Sequence, residues 1–172
     1  RGHVTQELRD LNGSLAVRIA EKTSSLEAEI KERRQTELVL RESREQYRRL
    51  VELAFEAIVI HANERVIHAN QAAIEMLGAE SSSELIGKSV HGFIHPDSQA
   101  MVRQRLQKLA AGLNGLPPAE ERYIGLDGRS VDVEAATIEI VYHDQPAMLT
   151  VIRDITPRKQ AEQARLAERM SI

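Results

Sequence analysis

The stretch Val151-Ile152-Arg153-Asp154-Ile155-Thr156-Pro157-Arg158-Lys159-Gln160-Ala161-Glu162 changes character within three residues. An apolar, strand-like run gives way to a helix start: Thr156 is a good N-cap and Pro157 suits the first helical position. The switch from a period of two to a period of 3.6 is thus specified locally. A rigid joint of this kind can pass strain from a sheet into a helix.

Upstream of the joint, Glu121-Arg122-Tyr123-Ile124-Gly125-Leu126 and residues 129–141 read as strands around Asp127-Gly128, a strong hairpin signal. A last strand over about 147–154 follows His143-Asp144-Gln145-Pro146. Further back, Ala57-Ile58-Val59-Ile60-His61-Ala62 and Arg65-Val66-Ile67-His68-Ala69 are separated by two residues, Asn63-Glu64, which predicts a hairpin. Asn70 then caps a short helix over residues 71–77 that Gly78 ends, and the serines at 81–83 open another brief turn stopped by Gly87. A longer helix is expected over about 99–111, with Val102, Leu106 and Leu109 on one stripe, and residues 112–118 form a loop. The order is two strands, several short helices, then three antiparallel strands, an α+β chain.

Residues 4 to about 54 contain no proline and one glycine, Gly13, among a dense mix of Glu, Arg, Leu and Ile, and read as nearly continuous helix. Ile30 and Val51 fall on one position of a seven-residue repeat, with Ile19, Leu26, Leu40 and Tyr47 on its partner, which is the seam of a left-handed coiled coil. Arg33, Glu37 and Arg44 interrupt that seam, and Leu8, Leu11 and Leu15 follow a register offset by one residue. A parallel homodimer is the preferred reading; a single solvated helix laced with i,i+4 ion pairs is the other. Polar seam positions leave a pair of helices free to shift rotation or register. Three segments follow: a helix over 1–54, a domain over 55–156 and an outgoing helix over 157–172.

The chain has 172 residues and a net charge of −3, but the central segment carries 14 acidic and 8 basic residues. An acidic domain lacks the basic stripe of a nucleic-acid surface. The absence of cysteine removes disulfides, thiolate metal sites and any cysteinyl adduct with a flavin, and fits a reducing compartment. No run approaches the roughly 20 apolar residues of a membrane span. The expectation is a cytoplasmic piece of a longer protein, with any membrane anchor of the parent lying upstream.

Four local patterns are similar to those of the PAS domain family: Asn70-Gln71-Ala72-Ala73 with Met76-Leu77-Gly78, Glu84-Leu85-Ile86-Gly87-Lys88, Ile94-His95-Pro96-Asp97, and Arg153-Asp154-Ile155-Thr156 followed by Arg158-Lys159. Their order and spacing carry the resemblance, which spans about residues 47–162. It implies a five-stranded antiparallel sheet in the order 2-1-5-4-3, with short helices on one face enclosing a pocket for a small molecule. It also implies that Asp154, Thr156 and Arg158 couple the last strand to the outgoing helix. The two-residue Asn63-Glu64 turn departs from the family, which often has a longer one. Glu21-Lys22-Thr23 with Leu26-Glu27-Ala28-Glu29-Ile30, and Tyr47-Arg48-Arg49-Leu50, resemble the signalling helix before PAS domains in bacterial sensor kinases. Residues 163–170 look like the approach to a histidine kinase's dimerisation helix, but the phosphoacceptor box and ATP-binding motifs are absent, so this segment is not itself a kinase. A cyclic-dinucleotide synthase is the other parent that the resemblance allows.

Haem is disfavoured, because the long helix lacks the histidine that haem-binding relatives would use. His91 and His95 read as structural or surface residues. His61 and His68 could meet diagonally across the first hairpin, a weak metal pair with no third ligand. A non-covalent flavin stays open, although no residue selects for it; no cofactor is the preferred reading. The serine run is explained by capping, and Glu120-Glu121 with Asp132, Glu134 and Glu139 are expected on solvated strand faces, so no catalytic or metal site is assigned. Strand parity and helix stripe nominate Ile58, Ile60, Met76, Leu77, Ile86, Phe93, Leu106, Tyr123, Ile138, Met148, Thr150 and Ile152 as lining an interior that is either packed or hollow.

Overall fold

The computed structural model describes residues 1–113 and 115–170. Asn114, in the expected loop, and residues 171–172, at the end of the outgoing segment, lie outside the described residues. The chain divides into two compact units, residues 1–48 and residues 49–172.

From Gly2 on the first unit is helical and belongs to α1, Gly2–Glu52. Its side chains are all exposed within one chain, including Ile19, Leu26, Ile30, Leu40 and Tyr47. Pairs at i,i+4 decorate it, Arg41 to Glu45 at 3.2 Å and Arg33 to Glu29 at 3.9 Å. Exposed pairs of this kind contribute only about 0.3–0.5 kcal/mol each.

In the second unit, β1 (Ala57–Ala62), β2 (Arg65–Ala69), β3 (Ala119–Ile124), β4 (Ser130–Tyr142) and β5 (Gln145–Asp154) form one antiparallel sheet in the order β2-β1-β5-β4-β3. Between β2 and β3 run α2 (Gln71–Met76), α3 (Ser82–Leu85), a single 3-10 turn (Val90–Phe93) and α4 (Pro96–Ala110). The outgoing helix, α5, spans Thr156–Met170. The core gathers Ala57, Val59 and Val66 from the first hairpin, Ile152 and Val133 from the central strands, and Leu77, Leu85, Phe93 and Val102 from the helices.

Both hairpins built on two-residue turns place those residues at positive φ: Asn63 at 49° and Glu64 at 61°, His143 at 49° and Asp144 at 60°. That is the turn geometry whose twist matches a right-handed strand pair. In the second it lets β4 and β5 continue to Tyr142 and Gln145, so the strands run closer to the turn than the Pro146-containing sequence suggests. The long helix also starts three residues earlier than expected. Pro96 occupies its first turn, and the His95 side chain caps it by accepting from the Asp97 backbone N–H at 3.2 Å. Gly78 is favoured by its backbone, whose φ is +65°; a Cβ there would also stand 2.5 Å from the Asp127 carboxyl carbon, and that side chain would have to move aside.

Candidate functional site

The helices and the inner face of the sheet enclose a cavity of about 50 Å³. Of the nominated residues, Leu77, Phe93, Leu106, Tyr123, Thr150 and Ile152 line it, whereas Ile58, Ile60, Met76, Ile86, Ile138 and Met148 do not. On β1 the parity is the reverse of the expectation. Val59 pairs with Thr150 and faces the cavity with His61, so Ile58 and Ile60 lie on the opposite face of the sheet. An apolar run that alternates little, as Ile58-Val59-Ile60 does, gives no parity signal; the register against β5 fixes it. Ile138 is opposite Leu149 and is 54% exposed, and Ile86 is 48% exposed, beyond the end of α3.

Glu120 is exposed as expected, but the reading of Glu121 as solvated needs the larger correction. Adjacent strand residues face opposite ways, and Glu121, opposite Val133, points inward and is only 6% exposed. Its nearest cation is the Arg105 Nε of α4, at 3.8 Å. The Arg105 guanidinium spends its short hydrogen bond on the Pro117 carbonyl, at 2.7 Å. Burial pushes the Glu121 carboxyl above its ordinary range, and the Tyr123 hydroxyl and Arg105 oppose that shift without cancelling it. Tyr123 is raised well above the usual phenol value, first by burial and then by the neighbouring Glu121 charge. Asp132 and Glu134 share one parity on β4 and are half-buried, while Glu139 has the other parity and is exposed.

His61 is buried in the cavity wall, and burial pushes its imidazole down to about 4, with His91 lowering it further and Glu64 opposing. His68 does not meet it. His68 sits opposite Ile60, with its ring 3.7 Å from Glu52, because a register shift between Ile60 and His61 places the two histidines on opposite faces. Among the described residues no group of three or more His, Asp or Glu could hold a metal ion.

Two polar nodes mark where the helices enter and leave the sheet. At the entrance, Asn70 is fully buried. Its Oδ1 accepts from the Ile58 N–H at 2.8 Å and the Ala73 N–H at 3.0 Å, while its Nδ2 donates to the Val51 carbonyl at 2.9 Å and the Glu56 carbonyl at 3.1 Å. The cap read from sequence is there, but so is a tie to the last turn of α1.

At the exit, Asp154 Oδ1 accepts from the Thr156 N–H at 2.8 Å. The Thr156 hydroxyl therefore does not serve as the helix cap; it accepts from the Asp132 N–H at 3.2 Å. Asp132 also accepts the Ile155 N–H on its carbonyl at 2.9 Å, and its carboxylate meets Arg122 at 3.1 Å and Lys159 at 3.8 Å. Arg158 reaches Glu120 of β3 at 2.5 Å, and Lys159 reaches the same carboxylate at 3.2 Å. Asp132 and Glu120 are thus part of the joint, and nothing local in the sequence marks them, since only the β3-β4-β5 register brings them to α5.

One sheet in this order, with short helices folded over one face around a small cavity, defines a class of two-layer α+β folds. A family model described as PAS fold matches residues 45–155, and the chain belongs to that family. Among curated proteins it is similar to Sporulation kinase A of Bacillus subtilis (strain 168), with 26% identity over 145 residues. That match covers 84% of this chain and 24% of the relative, so the chain spans about a quarter of the relative's length. Among solved structures it is similar to the PAS domain of an HTR-like protein from Haloarcula marismortui, at 22% identity and a TM-score of 0.56, covering 71% of this chain and 99% of that one. It is also similar to a domain of a sensory box sensor histidine kinase/response regulator from Geobacter sulfurreducens, at 20% identity and a TM-score of 0.54, covering 67% and 96%. At these identities the structural likenesses establish the fold.

Proposed function

We propose that this chain is the signal-sensing and dimerisation module of a bacterial sensor histidine kinase, in which a change at the cavity or in α1 is passed to α5. The observation that carries the reading is the Asp132 node. One strand residue holds Ile155 and Thr156 through its backbone and Lys159 through its side chain, so a shift in the β4 register moves the first turn of α5 as a body. The match to Sporulation kinase A extends over 145 residues, beyond the 111 of the PAS domain itself, which supports a kinase parent whose flanking helices are of similar kind. Ile19, Leu26, Ile30, Leu40, Tyr47 and Val51 supply the seam of a parallel homodimer, and what supports it is their heptad spacing along α1. The working location is the cytoplasm; no helix among the described residues is long and apolar enough to cross a membrane.

The test is Asp154→Ala in the full-length parent. It removes the bond to the Thr156 N–H while leaving the sheet intact, and output should no longer follow input. Unchanged regulation would sink the coupling role. A cavity of about 50 Å³ is a third of the roughly 150 Å³ that takes up benzene, so haem or a flavin ring enters only if the walls move. That size favours, as a second reading, a relay that works with no ligand; native mass spectrometry of the purified chain separates the two.

A further inference from the structure

The cavity has one charged pole, and His61 of β1, held neutral by burial, is a further titratable group in its wall. Most of its wall is apolar, supplied by Val59, Val66, Phe93, Ile94, Leu106 and Ile152 among others, and the Thr137 and Thr150 hydroxyls are bonded to each other at 3.0 Å. At the α4–β3 side stand Arg105, Glu121 and Tyr123. These two charged groups are not equally satisfied. Arg105 has a 2.7 Å hydrogen bond to Pro117 and keeps 18% side-chain exposure, while Glu121 has 5% and its cation stops at 3.8 Å, beyond hydrogen-bond reach. A carboxylate accepts about four hydrogen bonds. Tyr123 interacts with this one, and the remaining capacity faces the cavity. Burying a charge so incompletely matched is costly unless a donor completes it.

Building on the sensing role proposed for this cavity, we propose that it takes a small amphipathic molecule with a hydrogen-bond-donating nitrogen head, a primary amine class, whose ammonium seats on Glu121 beside Tyr123 and whose short apolar body lies against Val59, Phe93, Leu106 and Ile152. The volume sets the size at a few heavy atoms. A carboxylate head is disfavoured at this seat, because it would place a second anion against Glu121. A neutral alcohol satisfies the geometry but forms a hydrogen bond of about half the strength of a charge-assisted one.

The experiment is a titration of the isotope-labelled 172-residue chain by amide NMR with propylamine, propan-1-ol and propionate. Propylamine should shift β3 and α4 amides saturably at a concentration about tenfold below that of propan-1-ol, with propionate weakest. Glu121→Gln should bring propylamine down to the level of the alcohol. Should that variant lose its dispersed spectrum, His61→Leu, which removes the other group of the cavity that gains a proton at low pH, supplies the readout with Glu121 intact, since amine binding must then weaken as falling pH protonates Glu121. Tightest binding by propionate would move the anchor to Arg105 and overturn the proposal. The absence of saturable shifts with all three would make the cavity a packing void, also overturning it, while the coupling role would stand or fall separately on Asp154→Ala. Amine binding that survives a failed Asp154→Ala test would leave the site without the relay.

Discussion

Replacing Asn70 with alanine removes four side-chain hydrogen bonds of 2.8–3.1 Å from a fully buried site. Loss of the α2 cap costs about 1 kcal/mol. The Ile58 N–H and the Val51 and Glu56 carbonyls each lose a partner at about 1 kcal/mol apiece, more where no water can replace it. The sum is about 4 kcal/mol, a large part of the 5–15 kcal/mol of an ordinary domain and equivalent to a fall in Tm of some 15–25 °C. The assay must exclude α1, whose 51 residues dominate the far-ultraviolet helix signal. The chain has no tryptophan, so near-ultraviolet circular dichroism of the tyrosines, Tyr123 in the core above all, is the suitable probe of urea unfolding.

Asn70→Asp refines the test. It keeps both acceptor roles but turns a carboxylate oxygen toward two carbonyls, so its folded pKa must rise. A group with a raised folded pKa binds its proton more tightly in the folded state, and the variant should recover stability as pH falls through that value. A loss below about 1 kcal/mol for Asn70→Ala, or an Asn70→Asp variant insensitive to pH, would refute the reasoning.

Other expectations follow from single features. His61 is held neutral with its pKa near 4 against an ordinary 6.5, so the unfolded chain binds the extra proton and the wild type should lose about 3 kcal/mol between pH 6.5 and 4; His61→Leu should lack that component in paired urea titrations. Asp144 at φ 60° is a non-glycine residue in the left-handed region, and Asp144→Gly should raise stability by about 0.5–1 kcal/mol, measured as a Tm higher by a few degrees; a lower Tm would count against the strain. Leu26→Lys with Leu40→Lys places charges in the proposed seam and should convert a dimer to a monomer in light scattering, whereas an unchanged mass would place the dimer contact elsewhere.

Much of the fold could be read locally. Asn63-Glu64 between two apolar runs, Asn70 ahead of Gln71-Ala72-Ala73, and Asp127-Gly128 each carry their own turn or cap chemistry, and the structure has a hairpin, a helix and a second hairpin there. Two helix starts were misjudged, because a histidine ring can cap as His95 does and because the Thr156 hydroxyl turns to the Asp132 N–H of β4 and not to the first turn of α5. The candidate site was legible only in part. Helix and single-parity positions such as Leu77, Leu106 and Thr150 face the cavity as their spacing suggests, but β1, apolar at three consecutive positions, gave no basis for choosing Val59 over Ile58 and Ile60.

The sequence by itself determined the elements, their order and the place of the exit joint, since turn, cap and periodicity signals act over a few residues and need no distant partner. Only the tertiary structure decided which side chains share the interior. Glu121 becomes a buried charge because β3 pairs with β4 in the register that sets it opposite Val133 and lays α4, with Arg105, across it. Asp132 becomes the centre of the exit joint because the same register ends it beside Thr156, 24 residues away along the chain. Such placements are sums of strand pairings, and a one-residue slip in any of them would send each of these groups to the other face.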